Sequence, residues 1–505
     1  MSQPCLVRPR VLLNRTSSAV RTLVAPRDCL PVISLSGRLL YQNSSKCSHQ
    51  KRHIHIKRRV STAANISDTQ QLVNEKAAVP ASTPMSCLPW SNLLRSYAIN
   101  SVSSIPLLLR PSLATMTFLV NSKSRFFNPD HNPILRVILK RIFYAQFCAG
   151  ETTAEVRKTI AELKTMGYKG VILGHAREVV LSKKEQEALA NSDHSPAQEE
   201  CIRKEISQWR NDTLDTIEIA ERGDFVALKF TGAGRQALQA LKATQPCSPQ
   251  LREAIHDACV LAQERGVGLL FDAEQASLQQ GIDNWAMYYM RHYNKSGKAV
   301  VYGTYQAYTK RAPKLLAEHL AQAQKEGFVL GVKLVRGAYI GSDPRELFWN
   351  TVEDTHKCYD NLAQSLIQRK YFGLLQPTQA GLSAFPNVNL VLASHNANSV
   401  RAARTIRDEQ ARSGQPMIRM AYAQLQGMAD NLSCELVKEA KDSQDNVSNS
   451  EIPHAYKYLV WGGLSLSMKY LLRRAQENKD AVSRTIDARR ALGKEIATRL
   501  GLARS

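Results

Sequence analysis

The segment Leu471–Asn478 carries two neighbouring arginines and an acid at helical spacing. Glu477 follows Arg474 by three residues and Arg473 by four, so on a helix its carboxylate can contact either guanidinium. An arginine pair held by an acid can bind a substrate carboxylate through charge-assisted, often bidentate hydrogen bonds. A surface ladder of ion pairs would show the same spacing, so the sequence leaves both interpretations open.

Polar or charged residues also end a series of short apolar runs along the chain. These residues are Lys229, Asp272 with Glu274, Gln306, Arg336, His395 with Asn396, Gln424 and Tyr458. Taken singly, each has an ordinary structural explanation: Asp272 could cap the following helix, and Lys229 could reach solvent at the end of a strand. Taken together, they would share one site if the runs were parallel strands of a single barrel.

The apolar runs predict eight β-strands, each five to seven residues long. They lie at 170–174, 225–230, 267–272, 299–305, 329–335, 389–394, 418–424 and 456–461. Segments with helical spacing alternate with them, for example 311–326, and the helix 152–167 precedes the first strand with Gly167 as its C-cap. Strand–helix–strand units of this length predict right-handed parallel crossovers, and eight of them favour a closed (βα)₈ barrel over an open sheet. The predicted fold class is therefore α/β.

The predicted barrel spans residues 151–485, and the rest of the chain divides into three parts. Residues 1–65 are discussed below, 66–150 form a linker and N-terminal helical arm, and 486–505 form a C-terminal helical tail. Within the arm, the Ser-, Ala- and Pro-rich stretch from about 60 to 120 predicts little order. Two long connections, 175–223 and 370–388, could be lids or tolerated surface insertions, and the first is charged and mostly helical.

The net charge of +23 is unevenly distributed. Residues 1–67 contain twelve Lys or Arg and a single acid, Asp28. A segment rich in Arg and Ser and poor in acids is typical of a mitochondrial presequence, which we predict over residues 1–65, with a disordered basic arm as the alternative. A nucleic-acid-binding protein is a further interpretation of the charge, but the excess is concentrated before residue 68 and no stacking or groove-reading motif is found.

Other kinds of site lack support in the sequence. The histidines outside the presequence show no metal-ligand spacing, and Gly232-Ala233-Gly234 lacks the third glycine of a dinucleotide-binding fingerprint. The ten cysteines form no Cys-x-x-Cys pair, which predicts free thiols. The apolar run 96–109 is interrupted by Arg110 and Pro111 well short of the ~20 residues that a membrane span requires, so no transmembrane helix is predicted.

Five motifs, in this order, resemble those of the proline dehydrogenases. They are Phe271-Asp272-Ala273-Glu274, Tyr305-Gln306-Ala307-Tyr308, Lys333-Leu334-Val335-Arg336-Gly337-Ala338-Tyr339, Ser394-His395-Asn396, and Tyr458 followed by Arg473-Arg474-Ala475-Gln476-Glu477-Asn478. The resemblance covers roughly residues 150–485, and one departure is Ser394, where many relatives have threonine. Proline dehydrogenases are FAD-dependent (βα)₈ barrels, so the resemblance implies this fold and this cofactor.

The resemblance also implies roles for individual residues. The flavin-contacting set is Asp272, Gln306, Arg336, Ala338, His395, Gln424 and Leu425, with Gln306 and Arg336 near the isoalloxazine ring. The substrate-binding set is Lys229, Arg473 and Arg474 for the carboxylate, Tyr458 for the proline ring, and Glu477 to orient the arginines. The implied reaction is the oxidation of L-proline to 1-pyrroline-5-carboxylate, the first step of proline catabolism, by hydride transfer to flavin N5.

The same resemblance implies a mitochondrial matrix enzyme that passes electrons to a membrane quinone of the respiratory chain. It leaves peripheral association with the inner membrane open. A hydroxyproline dehydrogenase is the nearest alternative, because it would use the same barrel and flavin. Tyr458 weighs against this alternative, since the bulk of its ring is expected where the substrate hydroxyl must fit. Neither a metal ion nor a nucleic acid is an implied partner.

Overall fold

The structure, a computed structural model, describes residues 83–122, 124–177, 196–378, 384–445, 450–477 and 482–502. These residues belong to one of the two compact units of the chain, Ala77–Ser505, and the other unit, Met1–Lys76, lies outside them. The predicted presequence, 1–65, and parts of the two predicted insertions therefore lie outside the described residues. The side chain of Glu477 likewise lies outside what the structure describes.

Parallel strands form a closed barrel at the centre of the described part. They are β1 (Gly170–His175), β2 (Phe225–Leu228), β3 (Gly268–Phe271), β4 (Val301–Gln306), β5 (Leu330–Val335), β6 (Val388–Ala393), β7 (Arg419–Leu425) and β8 (Ala455–Trp461). Each strand pairs with its neighbours in the sequence, and β1 closes on β8 from Gly170 opposite Tyr456 to His175 opposite Trp461. The predicted (βα)₈ barrel is confirmed, and every strand begins and ends within two residues of its prediction.

Helices precede, separate and follow these strands. They are α1 (Trp90–Ser103), α2 (Pro106–Asn121), α3 (Pro133–Leu139), α4 (Thr153–Met166), α5 (Pro196–Ile219), α6 (Arg235–Lys242), α7 (Pro249–Arg265), α8 (Ala276–Tyr293), α9 (Ala312–Glu326), α10 (Val352–Gln368), α11 (Ala397–Arg412), α12 (Asp430–Asp445), α13 (Leu464–Glu477) and α14 (Val482–Arg499). After α3 the chain continues as a wider helical turn, Lys140–Tyr144, into the short helix Ala145–Phe147. We call residues 83–147, which precede the barrel, the N-terminal arm.

Helix α4 shows why the predicted helices form where they do. Thr152 accepts a hydrogen bond of 3.3 Å from the Glu155 N–H and caps the first turn. Gly167 ends the helix in the left-handed conformation, at φ +111°, which L side chains rarely adopt. The buried stripe is the one that the sequence predicts: Val156, Ile160, Leu163 and Met166. Capping and an apolar stripe therefore act together in α4. The predicted helix 311–326, observed as α9, has a buried stripe and ends at a left-handed Gly327, but no side chain caps its N-terminus.

Aromatic rings fill the N-terminal end of the barrel. The Phe225 ring packs edge-on against Tyr302 and Tyr456, with centroid distances of 5.5 and 5.3 Å. Gly268 leaves room for this cluster, since a Cβ atom there would lie 2.5 Å from the Phe225 ring. Because this end is packed with side chains, an open site must lie at the other end, where the strands finish.

The prediction of little order between about 60 and 120 is wrong for its described part, because α1 and α2 lie there. Helix α2 packs on α13 through an apolar cluster that includes Leu113, Met116 and Leu472. Its outward side is apolar as well, since Leu107 is 82% exposed and Phe118 is 55% exposed. A helix that is apolar on both sides has no amphipathic period from which it could be predicted.

Within the described residues, no single helix has the length and apolar character that a membrane crossing needs. Helices α1 and α2 meet that criterion only as a pair, and they are bent by 102° relative to each other. At the other end of the chain, α14 packs against α1. The predicted C-terminal tail, 486–505, begins inside this helix, which starts four residues earlier.

Candidate active site

Most residues predicted to form the site lie at the C-terminal end of the barrel. Lys229, Asp272 and Arg336 directly follow β2, β3 and β5, and Gln306 and Leu425 are the last residues of β4 and β7. The others are Ala338 after β5, His395 after β6, Gln424 in β7, Tyr458 in β8, and Arg473 and Arg474 in α13. Because the strands are parallel, their ends meet at one mouth, as the sequence predicts.

Asp272 is held by two partners inside the barrel. The Lys333 Nζ atom in β5 lies 2.5 Å from its Oδ1 atom, and the Tyr458 hydroxyl donates a hydrogen bond of 3.0 Å to its Oδ2 atom. The Lys333 ammonium also lies 5.1 Å from the centre of the Tyr458 ring. All three side chains are buried. Both oxygens of Asp272 are thus engaged, and this group fixes the position of the Tyr458 ring below the mouth.

The Tyr458 hydroxyl is a donor and not a base in this arrangement. Burial, and next the neighbouring Asp272 carboxylate, raise the pKa of Tyr458 well above its ordinary value. The phenol therefore stays protonated at physiological pH. Sequence reasoning gave no role to its neighbour Lys333, although a lysine in the middle of an apolar strand is a signal, since a buried ammonium needs a partner.

Two cations converge on the ring of Tyr470 in α13. The Lys229 Nζ atom lies 4.8 Å from the ring centre, and the Arg474 Cζ atom lies 5.5 Å from it. Tyr470 precedes Arg474 by four residues, so both side chains lie on one side of the helix. Sequence reasoning missed Tyr470, although this spacing could have suggested it. The structure thereby brings Lys229 and Arg474 together from opposite ends of the barrel sequence.

Arg336 is held at the rim of the mouth by helices α10 and α11. Its Nη1 atom lies 2.8 Å from His356 Nδ1, and its Nη2 atom donates to the Ser399 hydroxyl at 2.6 Å. The guanidinium also stacks on the Tyr359 ring at 3.7 Å from the ring centre. The described contacts of this side chain thus lie on the outer side of the strand ends, next to the mouth.

Gln306 belongs to a chain of polar contacts that joins four loops. Its Nε2 atom donates to the Tyr308 hydroxyl at 2.9 Å and to the Glu274 carbonyl at 3.4 Å. The Tyr308 hydroxyl also accepts the Tyr339 N–H at 3.3 Å, which fixes the loop that contains Ala338. The Glu274 carboxylate accepts hydrogen bonds from the main-chain N–H and the hydroxyl of Thr231, in the loop after β2. The loops after β2, β3, β4 and β5 are therefore tied together.

The end of β7 places its last two side chains on opposite sides of the barrel wall. The Gln424 amide donates to the Ser394 carbonyl at 3.3 Å, accepts from the Ser433 hydroxyl at 3.1 Å, and is buried against α12. Leu425 faces the interior, and its N–H donates to His395 Nε2 at 3.1 Å. That bond assigns the ring proton of a neutral His395 to Nδ1. A contact between Gln424 and a ligand in the mouth would have to come from its main chain.

A cavity of about 690 Å³ opens at this mouth. One wall consists of predicted site residues and Tyr470: His395, Leu425, Tyr458, Tyr470 and Arg474. The opposite wall is apolar and comes from the N-terminal arm, with Val102, Leu109, Leu113, Met116 and Phe143. A mostly apolar cavity of this size with a few polar groups is typical of a site for a small molecule or a cofactor.

This arrangement can bind an anionic group and hold a ring against Tyr458. Lys229 and Arg474 supply positive charge, and planar guanidinium groups match carboxylates geometrically. Among the described residues, no group of three or more His, Cys, Asp or Glu could hold a metal ion. The fold and the mouth together define a (βα)₈-barrel protein with an open cavity, and cations beside it, at the ends of its strands.

Comparison with known families identifies the family to which this barrel protein belongs. The family model described as proline dehydrogenase matches residues 156–487, about two thirds of the chain. The chain therefore belongs to the proline dehydrogenase family, and it is an oxidoreductase that acts on proline.

Curated relatives and a solved structure agree with this assignment. The chain is 27% identical over 452 residues to the mitochondrial proline dehydrogenase 1 of Arabidopsis thaliana, covering 82% of this chain and 85% of that protein. It is 26% identical over 396 residues to the hydroxyproline dehydrogenase of Bos taurus, covering 72% and 82%. The crystal structure of proline utilization A from Bdellovibrio bacteriovorus matches with a TM-score of 0.52 at 16% identity, covering 81% of this chain but only 41% of that one. This last likeness supports the fold alone.

Proposed function

We propose that this chain oxidises L-proline to 1-pyrroline-5-carboxylate with non-covalently bound FAD as the hydride acceptor. The observation that carries the proposal is the convergence of Lys229 and Arg474 on Tyr470, beside a cavity whose wall includes Tyr458. A carboxylate held by these cations would place a small ring against Tyr458, which is the geometry that an amino acid with a five-membered ring requires.

The residues at the mouth fit a flavin. A planar, largely apolar ring system suits the size and the lining of the cavity, and amide, imidazole and guanidinium groups stand at its edge to bond polar atoms. We assign the flavin contacts to the residues implied by the resemblance: Asp272, Gln306, Arg336, Ala338, His395, Gln424 and Leu425. Of these, His395 and Leu425 line the cavity, and Gln424 would contribute through its main chain. Because Asp272 is bonded to Lys333 and Tyr458, its part is to support the floor of the site. When bound, the flavin supplies the hydride acceptor, N5.

The chain's own task is mainly positioning. Lys229, Arg473 and Arg474 are proposed to hold the substrate carboxylate, and Glu477 to orient the two arginines, on the strength of their spacing. Tyr458, fixed through Asp272, is proposed to pack on the proline ring and so aim the Cδ–H bond. Tyr458 stays a neutral phenol, so it would orient the substrate without removing a proton from it.

The proposal is tested by the absorbance spectrum of the purified protein. We expect a flavin spectrum that bleaches when L-proline is added without oxygen, and FAD that is released when the protein is denatured. Colourless protein that FAD cannot reconstitute would contradict the proposal, as would a covalently attached flavin.

Hydroxyproline is a second candidate substrate, since hydroxyproline dehydrogenases are among the relatives. The fixed position of Tyr458 disfavours it, because a ring hydroxyl would have to fit against an aromatic side chain that cannot move easily. We expect a higher kcat/KM for L-proline than for trans-4-hydroxy-L-proline. The reverse order would assign the chain to the second activity.

We further propose that the chain works in the mitochondrial matrix and passes its electrons to a membrane quinone. The mitochondrial names of several relatives support the location, and the basic segment 1–65 is our candidate for the presequence. To test the acceptor, we expect the chain to reduce a soluble quinone analogue without oxygen, and only when proline is present.

A further inference from the structure

The outer side of the N-terminal arm carries an unusual amount of apolar surface. Of the 24 large apolar side chains exposed in the described part of the chain, 14 lie between residues 90 and 142. Single exposed apolar residues are ordinary on proteins, but a concentration of them marks a surface with a partner. Of these exposed side chains, Val102 and Ile142 also line the cavity at the barrel mouth, and the other twelve do not.

Helix α3 is apolar on its outward side, and the two cations at its C-terminal end are paired with an acid of the protein. Ile134 is 73% exposed and Ile138 is 48% exposed. The Arg136 guanidinium and the ammonium of Lys140, just after the helix, are partly exposed but paired with the Glu151 carboxylate, at 2.6 Å and 2.9 Å. A helix at a water-facing surface has polar side chains on its outward side. The outward side of α3 is therefore built for apolar surroundings.

The apolar surface continues from α3 onto α2. The rings of Phe118 in α2 and Phe127 in the following turn pack edge-on, with their centroids 5.3 Å apart, and the adjacent Phe126 is 78% exposed. On the inner side, Met116 of α2 and Leu139 of α3 belong to one buried cluster on α13. Both helices pack on this cluster, and the ring contact joins the turn between them to α2. We therefore treat their outward sides as one surface.

Positive charge accompanies this surface. Between residues 105 and 145 the sequence has six Lys or Arg and one acid, Asp130. Arg110, Arg125 and Arg141 are exposed. Apolar side chains flanked by cations complement a bilayer of anionic phospholipids, because the former enter the headgroup–acyl boundary and the latter attract the phosphates.

We propose that residues 106–142 form a membrane-docking surface through which the chain binds anionic phospholipid bilayers peripherally. Helices α2 and α3 lie on the bilayer, with Ile134, Ile138 and Phe126 inserted and the exposed arginines at the headgroups. The inner side of α2 lines the cavity at the barrel mouth through Leu113 and Met116. Docking therefore brings that cavity close to the lipid. The proposal concerns attachment and does not depend on the reaction.

Vesicle binding of the full chain tests the apolar part of the surface. With phosphatidylcholine vesicles that contain phosphatidylglycerol, the double variant Ile134→Asp/Ile138→Asp is expected to bind about tenfold more weakly than the wild type, or worse, because it brings charge to the inserted side. Met417→Asp is the matched control, since Met417 is 43% exposed and precedes β7 at the closed end of the barrel. The control should bind like the wild type.

Charge reversal tests the electrostatic part. Arg125→Glu/Arg141→Glu should weaken binding to the phosphatidylglycerol vesicles by about fivefold or more for each arginine, and leave binding to pure phosphatidylcholine unchanged. The basic segment 1–65 is identical in all variants, so its own attraction to the vesicles does not affect the differences. Unchanged proline oxidation with a water-soluble acceptor would show that the variants are folded.

Several results would overturn the proposal. The wild type could fail to bind either kind of vesicle, or the arm variants could bind as well as Met417→Asp. A second copy of the chain could cover the surface instead; the lipid-free wild type would then sediment as a dimer, the isoleucine variant as a monomer, and vesicles would bind neither. A failure of the proposed reaction would leave each of these binding results interpretable, because binding is measured without turnover.

Discussion

Tyr458 and Arg474 line the same cavity but are positioned in different ways. Tyr458 is fixed from below by its bond to Asp272, and Asp272 is fixed in turn by Lys333. Arg474 reaches the cavity from helix α13, across the ring of Tyr470. A rigid floor and a cation presented from a helix are suited to different tasks, one to orientation and the other to capture of a carboxylate.

Replacing Arg474 by Met separates substrate binding from cofactor binding. Methionine keeps an unbranched, helix-compatible side chain but removes the planar donor group. A charge-assisted contact contributes about 1.5 to 3 kcal/mol, so kcat/KM for proline is expected to fall by roughly 10- to 150-fold while the flavin content is retained. Arg490→Met in α14, where Arg490 is 76% exposed, is the control. Near-normal kinetics with full flavin would show that Arg474 has only a structural role.

Replacing Lys333 by Met tests whether the Asp272 carboxylate depends on its partner. The substitution leaves a buried charge without its cation, which is expected to lower the free energy of unfolding by about 3 to 5 kcal/mol in urea titrations. The double variant Lys333→Met/Asp272→Asn should lose less free energy of unfolding than the sum of the losses of the two single variants, because it also removes the Asp272 charge. Lys314→Met, at a lysine 85% exposed, should change stability by less than about 1 kcal/mol. If the stability losses of the two single variants simply added up in the double variant, Lys333 and Asp272 would not be energetically coupled.

Helices around the barrel are attached to it and to each other by buried or partly buried polar pairs as well as by apolar contacts. Helix α9 is attached to β4 by the hydrogen bond between the Tyr305 hydroxyl and His319 Nδ1, which is 2.8 Å long. Helix α8 is attached to the start of α9 by the ion pair between Asp283 and Arg311, at 2.5 Å. These pairs fix each helix at a given rotation on the strands, a property that apolar packing alone specifies less sharply.

His319 gives this packing a pH dependence of known sign. Burial, and next the nearby Arg311 and Arg291, lower the pKa of His319 to about 4 from its ordinary 6.5. Between these values the unfolded chain binds a proton that the folded chain resists. The contribution of neutral His319 is therefore complete above pH 6.5 and is lost as the pH falls towards 4. Burial raises the pKa of Asp283 to about 6, so protonation of Asp283 adds stability as the pH falls. This opposite effect is the same in the wild type and in the His319 variant described next.

His319→Gln isolates this contribution. Glutamine does not titrate, so the stability difference between wild type and variant should shrink as the pH falls from 7 to 4, by at most about 1.4 kcal/mol per pH unit. Urea titrations at several pH values measure it. A difference that stays constant across this range would show that His319 is not responsible.

The whole molecule divides into the unit Ala77–Ser505, which contains all the described residues, and an N-terminal segment that holds nearly half of the excess positive charge. The barrel, its mouth and the docking surface all belong to the unit Ala77–Ser505. Import and catalysis would therefore depend on different parts of the chain.

Deleting residues 1–65 is expected to leave proline oxidation in vitro unchanged and to abolish delivery to mitochondria in cells. Activity of the purified protein and fractionation of cells that express it measure the two effects. If the truncated protein still reached mitochondria, the interpretation of this segment as a presequence would be wrong.

The sequence by itself was sufficient to predict the barrel and the convergence of the strand-end residues at its mouth. Both follow from local rules: short apolar runs become strands, helices between them make the strands parallel, and parallel strands end at one edge. The positions of Lys229, Gln306 and Arg336 at strand ends were predictable for this reason. The roles of the predicted site residues remain predictions.

The tertiary structure alone decided which side chains meet. Lys333 pairs with Asp272 from a different strand, Tyr470 lies beside both Lys229 and Arg474, and Gln424 faces away from the mouth. Such partners depend on distances across the barrel and on which side of a strand faces inward, and neither is encoded in a local pattern. A helical arm was predicted, but the order of α1 and α2 within it was not. The reason is related: α2 is apolar on its inner side because it packs on α13, and apolar on its outer side where we propose that lipid covers it.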